Sequence, residues 1–123
     1  MPSSEAAFIE APAYALAPLM SDEEVAQILK VTIDWVRSHS VEIPGFVRLG
    51  MYYRFQPEPI REWLGGCLDP LLEVGDVAAL LKVPQSWVYQ NADQVPGMLR
   101  LERYVRLRPA LVKKFLEGQT VAQ

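Results

Sequence analysis

The chain has 123 residues, is half apolar and 22% charged, and carries a formal charge of −3; these values predict a packed soluble protein and argue against one that coats nucleic acid by bulk charge. No apolar run approaches the ~20 residues that a membrane span needs. A single cysteine, Cys67, and a single histidine, His39, exclude an internal disulfide and a zinc site of four Cys or His ligands. No basic segment followed by an apolar core opens the chain, so no secretory signal is expected, and a reducing cytoplasm is the expected compartment.

Residues 1–17 are rich in Ala, Pro and Ser without a period, and read as a mobile tail in which Phe8, Ile9, Tyr14 and Leu16 are the residues able to dock. Ser21-Asp22-Glu23-Glu24 is a capping box whose acids suit the positive end of a helix dipole. Val25, Ile28 and Leu29 follow on one helical face. Lys30-Val31 makes a short turn, and Thr32 caps a second helix from Ile33 to about His39, with Trp35 and Val36 turned inward. Two short helices joined by a tight turn form a helix-turn-helix pattern. Pro44-Gly45 breaks the chain. Two strands then flank Gly50-Met51 as a two-residue hairpin, with Gly50 suited to the first position of a II′ turn. Pro57 opens a third helix with Ile60, Trp63 and Leu64 as its stripe, and Gly65-Gly66 ends it.

The same plan is written a second time, 52 positions later and without a gap. The segment RLGMYYRF at 48–55 returns as RLERYVRL at 100–107. Leu29-Lys30-Val31, Trp35-Val36 and Pro44-Gly45 return as Leu81-Lys82-Val83, Trp87-Val88 and Pro96-Gly97. The chain is therefore a tandem duplication, with units at 18–66 and 70–118, a linker at 67–69 and a C-terminal tail at 119–123. Two cores of about fifty residues are small, and mutual packing would help both. The expected fold class is α+β, mostly helical: two tandem winged helix-turn-helix units. The second unit has poorer local signals. Glu73 replaces the capping serine, Pro84 replaces Thr32, and Glu102-Arg103 replaces Gly50-Met51, which predicts a different hairpin tip.

The VAxLL helix, the VPxSWVY turn and second helix, the (I/V)PG break, the RLxRYVR hairpin and the closing amphipathic helix together resemble the excisionase-type, MerR-like winged helix-turn-helix proteins of bacteria and mobile elements. The first unit resembles the same family through DWVRSHSVEIPGFVRLG and YYRF. The two matches cover nearly everything after residue 17. Members are usually single units, so the tandem arrangement is a departure. The resemblance implies double-stranded DNA binding, with the second helix in the major groove and the hairpin wing on the backbone or minor groove. It implies either a recombination directionality factor that bends DNA for a site-specific recombinase, or a small transcription regulator.

On that reading the groove-facing residues of the second unit are Gln85, Ser86, Tyr89, Gln90 and Asn91. Gln and Asn side chains can pair with adenine edges, and Tyr89 can reach phosphate. Arg100, Arg103, Arg106 and Arg108 supply the wing and backbone contacts. Arg106 and Arg108 are expected on one face, with Arg103 at the tip. The corresponding residues of the first unit are Ile33, Asp34, Arg37 and Ser38 on the helix, with Arg48 and Arg54 on opposite faces of the wing. Residues 18–66 hold five basic and seven acidic residues, and 67–118 hold seven and six. The second unit is thus the better DNA reader. The first is either a weak reader or a pairing surface for a partner or a second copy.

Other conspicuous residues have plainer readings. Trp35, Trp87, Trp63 and Phe115 are core anchors. His39 has no counterpart in the second unit and no evident carboxylate partner, so it reads as a surface or helix-end residue. Asp22, Glu23 and Glu24 are accounted for by capping. Cys67 lacks a nucleophile motif, and no phosphate loop, nucleotide fingerprint or metal cluster appears. No enzyme, cofactor or metal is expected. The competing reading is a protein-interaction adaptor on the same scaffold, since fold does not fix function.

Overall fold

A computed structural model describes residues 17–91, 94, 95 and 97–119; the tails expected at the two ends lie almost wholly outside these. Both repeats follow one order. The first comprises β1 (Met20–Ser21), α1 (Asp22–Leu29), α2 (Ile33–Ser38), a 3-10 turn (Ser40–Glu42), β2 (Phe46–Leu49), β3 (Tyr52–Phe55) and α3 (Pro57–Trp63). The second comprises β4 (Leu72–Glu73), α4 (Val74–Leu81), α5 (Gln85–Gln90), β5 (Met98–Leu101), β6 (Tyr104–Leu107) and α6 (Pro109–Gly118). The class is mixed α+β, with six α-helices and two three-stranded antiparallel sheets among the described residues, ordered β1-β3-β2 and β4-β6-β5.

Local chemistry sets these boundaries. The Ser21 hydroxyl accepts from the Glu24 amide at 3.1 Å, and the Glu24 carboxylate accepts from the Ser21 amide at 2.8 Å, which fills orphan donors at the start of α1. In α4, Asp76 accepts from the Glu73 amide at 3.0 Å. That hydrogen bond, despite some desolvation and with help from Lys30, holds Asp76 below the ordinary carboxylate pKa. Both helices end on a lysine in the left-handed conformation, Lys30 and Lys82, each with φ +57°. The following amides, of Val31 and Val83, donate back to Ala26 and Ala78, as in a Schellman closure. Thr32 caps α2 through the Trp35 amide at 3.0 Å, whereas Pro84 gives α5 no side-chain cap.

The hairpins share one register: Arg48 faces Tyr53 and Val47 faces Arg54, as Arg100 faces Val105 and Leu99 faces Arg106. The expected difference at the tips does not arise. Glu102 takes the left-handed conformation at φ +57°, close to the +63° of Gly50. A residue with a Cβ held there costs about 1–3 kcal/mol, and the contacts that hold it come from the other repeat. At the base of the first hairpin Gly45 sits at φ +82°, where an added Cβ would meet the Gln56 carbonyl oxygen at 2.8 Å. That close approach lets the Gln56 amide donate to Gly45 at 2.8 Å.

Two apolar clusters form, and they are unequal. Val25, Leu29, Val36, Phe55, Ile60 and Leu64 make the first, joined by Leu71 and Leu101 from the second repeat. Val77, Val88, Val95, Leu107 and Val112 lie in the second. The first core is thus completed by residues of the second repeat. Each fully buried Leu, Ile or Phe contributes about 1.5–3 kcal/mol.

The junction between repeats is specific. The face of the second hairpin bearing Leu99, Leu101, Tyr104 and Arg106 packs on the first repeat. The Leu71 amide donates to the Ile28 carbonyl at 2.8 Å. Arg106 Nε and Nη2 donate to the carbonyls of Leu29 and Lys30 at 3.1 and 2.6 Å, closing the end of α1. Lys30 Nζ lies 3.5 Å from Asp76. Trp35 Nε1 donates to Glu102 at 3.1 Å, and its ring stacks on His39 at 4.2 Å and meets the Tyr104 ring edge-on at 6.2 Å.

His39 therefore has the carboxylate partner that its isolation in the sequence concealed. Its Nε2 is 3.0 Å from Glu102, and its Nδ1 is 2.9 Å from the Trp35 carbonyl. The Glu102 hydrogen bond first, then the Trp35 carbonyl, raise the His39 pKa above its ordinary value; the same pairing lowers that of Glu102. The His39 contribution is complete below its unfolded pKa of about 6.5 and disappears as pH rises through the higher folded value. The Glu102 contribution is present above its unfolded pKa of about 4.3 and disappears as pH falls through the lower folded value. The junction is tightest between these limits. In an NMR titration, His39 is expected to titrate above about 6.5, and Glu102→Gln to bring it back toward that value. Titration of native His39 at or below the ordinary value would remove this account of the pair.

Candidate nucleic-acid interface

Helix α5 is short and two-sided. Val88 is fully buried and Trp87 half-buried, while Gln85, Ser86, Tyr89 and Gln90 face solvent. Spacing of one, three and four residues puts those four on one side of the helix. Asn91 belongs to the helix end instead: its side chain donates to the Trp87 carbonyl at 2.9 Å and it is half-buried.

The exposed face of α5 and the hairpin tip border one polar cleft, which brings Gln85, Tyr89 and Arg103 together beside Gly75. A Cβ added at Gly75 would stand 3.3 Å from the Gln85 side-chain nitrogen, so the end of the Gln85 side chain lies close over the Gly75 backbone. Arg103 is exposed, with its guanidinium 5.1 Å from the centre of the Tyr104 ring and Nη2 donating to the Tyr104 hydroxyl at 3.3 Å. Arg100 is exposed on the adjoining strand, across from Val105.

The other two arginines of this group are held differently, although Arg106 also lines the cleft. Arg106 is committed to the Leu29 and Lys30 carbonyls. Arg108 lies past the strand end as the half-buried N-cap residue of α6. Its Nε is buried without a hydrogen-bond partner among the described residues, and desolvation lowers its pKa from the ordinary arginine value.

The first repeat carries the same cleft with other chemistry. Asp22, Arg37 and Met51 stand where Val74, Tyr89 and Arg103 stand in the second. Asp22 is 6% exposed and accepts from Arg37 Nε at 2.6 Å and from the Glu23 amide at 2.9 Å. Burial pushes the Asp22 pKa up, but the Arg37 hydrogen bond and charge outweigh it and hold the group low; the same bond raises Arg37. Arg37 is thus already paired. The Ser38 hydroxyl donates back to the Asp34 carbonyl at 2.9 Å, and Ile33 packs against the core. Asp34 remains exposed on this face. Arg48 donates to the Gly50 carbonyl at 2.6 Å and lies over Tyr53, and Arg54 donates to the Tyr53 carbonyl at 2.8 Å and lies over Tyr52.

Sequence reasoning missed the Asp22–Arg37 pair, because capping accounted for the acids. A signal existed in the duplication: where the first repeat has Asp22 and Arg37, the second has Val74 and Tyr89, so both charges are present or both absent. Among the described residues, no cluster of His, Cys, Asp and Glu is grouped to hold a metal ion, and no helix is long and apolar enough to cross a membrane. No family model, curated protein or solved structure matches the chain.

Proposed function

We propose that this chain is a sequence-specific double-stranded DNA-binding protein made of two tandem winged helix-turn-helix units, of the excisionase type. It acts as a DNA-bending accessory to a site-specific recombinase or as a small transcription regulator. The observation that carries this reading is the cleft of the second unit, where α5 offers Gln85 and Tyr89 beside the wing-tip guanidinium of Arg103. Gln85 suits an adenine edge, Ser86 suits any base with a donor or acceptor in reach, and Tyr89 suits a phosphate. Arg100 and Arg103 are the backbone contacts. The first unit supports rather than reads: its cleft is neutralised by Asp22 and Arg37, and its tip is Met51.

The test is selection from a random duplex pool with sequencing, followed by a salt titration on the enriched site. The expected motif is short and non-palindromic, as one reading unit per chain requires. Log affinity should fall with log salt at about −0.9 per neutralised phosphate. In the same assay Gln85→Ala is expected to relax preference at one base pair by about 1–3 kcal/mol. A pool that enriches no motif would defeat the proposal and leave the adaptor reading.

A further inference from the structure

The duplication makes one junction inside the chain and leaves the two halves of a second one open. The inner junction joins an acceptor face on the first repeat (Ile28, Leu29, Lys30, Trp35) to a donor face on the second (Leu71, Asp76, Leu101, Tyr104, Arg106). Shifting by 52 positions gives the donor face of the first repeat as Leu19, Glu24, Leu49, Tyr52 and Arg54. It gives the acceptor face of the second as Leu80, Leu81, Lys82 and Trp87.

These open faces have the exposure of unfilled interfaces. Leu71 is 0% exposed and Leu101 6%, but their counterparts Leu19 and Leu49 are 39% and 49% exposed. Ile28 packs in the first core, whereas Leu80 is 63% exposed. Tyr104 packs against the first core, and its counterpart Tyr52 is 56% exposed.

The polar groups are also in place. Arg106 donates through Nη1 to the preceding carbonyl at 3.0 Å and lies 5.0 Å from the Tyr104 ring centre. Arg54 does the same, at 2.8 Å and 5.1 Å from Tyr52. Arg106 then carries two more bonds to the end of α1, and Arg54 makes no such bonds among the described residues. The acceptor geometry is duplicated too, since Lys30 and Lys82 share φ +57° and the same back-bonding to Ala26 and Ala78. Charge complementarity survives: the Lys30–Asp76 pair corresponds to Lys82 facing Glu24. The contacts of Glu102 with His39 and Trp35 have no counterpart, because Gly50 and Asn91 stand at the matching positions.

We infer that a second copy of this chain docks here head to tail, its first-repeat hairpin (Leu49, Tyr52, Arg54) on the α4–α5 end of the other copy's second repeat (Leu80, Lys82, Trp87). The interface is heterologous: each copy offers one donor and one acceptor face. Missing the Glu102 contacts, it is weaker than the junction inside the chain.

Leu49→Glu blocks the donor face and Leu80→Glu the acceptor face, and both side chains are exposed, so the fold is retained and circular dichroism checks it. Sedimentation velocity on the full chain without DNA should show wild type rising from monomer to species of two or more copies with concentration. Each variant alone should stay monomeric at the same concentrations. The equimolar mixture should form a complex of one copy of each and no larger species, because only one complementary pair of faces remains. Wild type monomeric throughout, variants that associate as wild type does, or a mixture that stays monomeric would each overturn the inference. Absence of DNA keeps this outcome separate from the DNA-binding proposal.

Discussion

Trp35→Ala is expected to destabilise the chain by about 3–5 kcal/mol, the range for truncating a large buried aromatic. Trp35 is 7% exposed in the core of the first repeat. It also stacks on His39, meets the Tyr104 ring and donates its indole N–H to Glu102. Alanine would leave a cavity and remove the contact that helps hold Glu102 at positive φ. Trp87→Ala should cost distinctly less, since Trp87 is half-buried and packs at the edge of the second cluster. Chemical denaturation of both variants checks the pair. Equal losses would show that the tryptophans are merely equivalent core residues of two copies of one unit.

The second large effect is expected at Arg106. Its guanidinium ties the second hairpin to the end of α1 through two carbonyls. Hydrogen bonds to a charged group contribute about 1.5–3 kcal/mol when not fully solvated. One of these two is in an exposed position, so Arg106→Ala is expected to cost about 1.5–3 kcal/mol in total rather than double that. Arg103→Ala, on an exposed tip, should stay within about 0.5 kcal/mol of wild type. Urea denaturation separates the two arginines. A neutral Arg106→Ala would mean that the junction does not rely on its guanidinium.

The contrast between those arginines shows where the sequence was legible. Helix starts, the spacing of the two short helices in each repeat and both hairpins follow from local chemistry: the Ser21 box, the Thr32 cap, the Pro44-Gly45 break and the Arg48–Tyr53 register. Each involves residues close in the chain. The junction is different, because it depends on how two similar units meet, and the hydrophobic pattern of either unit alone does not encode that. Arg106 reads as a free basic residue until Leu29 and Lys30 are placed beside it. Glu102 reads as a poor turn residue until Trp35 and His39 are placed beside it. The asymmetry was nonetheless written in the duplication. His39 is matched by Asn91, and Glu102 by Gly50, so each repeat carries only one half of the ion pair.

The face proposed for DNA divides in the same way. The α5 pattern exposes Gln85, Ser86, Tyr89 and Gln90 for a reason visible in the sequence, since Val88 must point inward. The neutralised cleft of the first repeat was less visible, because Asp22 had an adequate explanation as a helix-starting acid. Burial to 6% and the 2.6 Å contact with Arg37 give it a second role.

The most direct test of the central claim compares two equivalent tip positions on the selected duplex, Arg103→Ala in the second unit and Met51→Ala in the first, each titrated with salt. If the second cleft holds DNA, Arg103→Ala weakens binding across sequences and reduces the salt slope by about 1, as loss of one phosphate contact does. Met51→Ala leaves affinity and slope at wild-type values. An unchanged slope in Arg103→Ala, or an equal loss in both variants, would contradict DNA reading by the second unit.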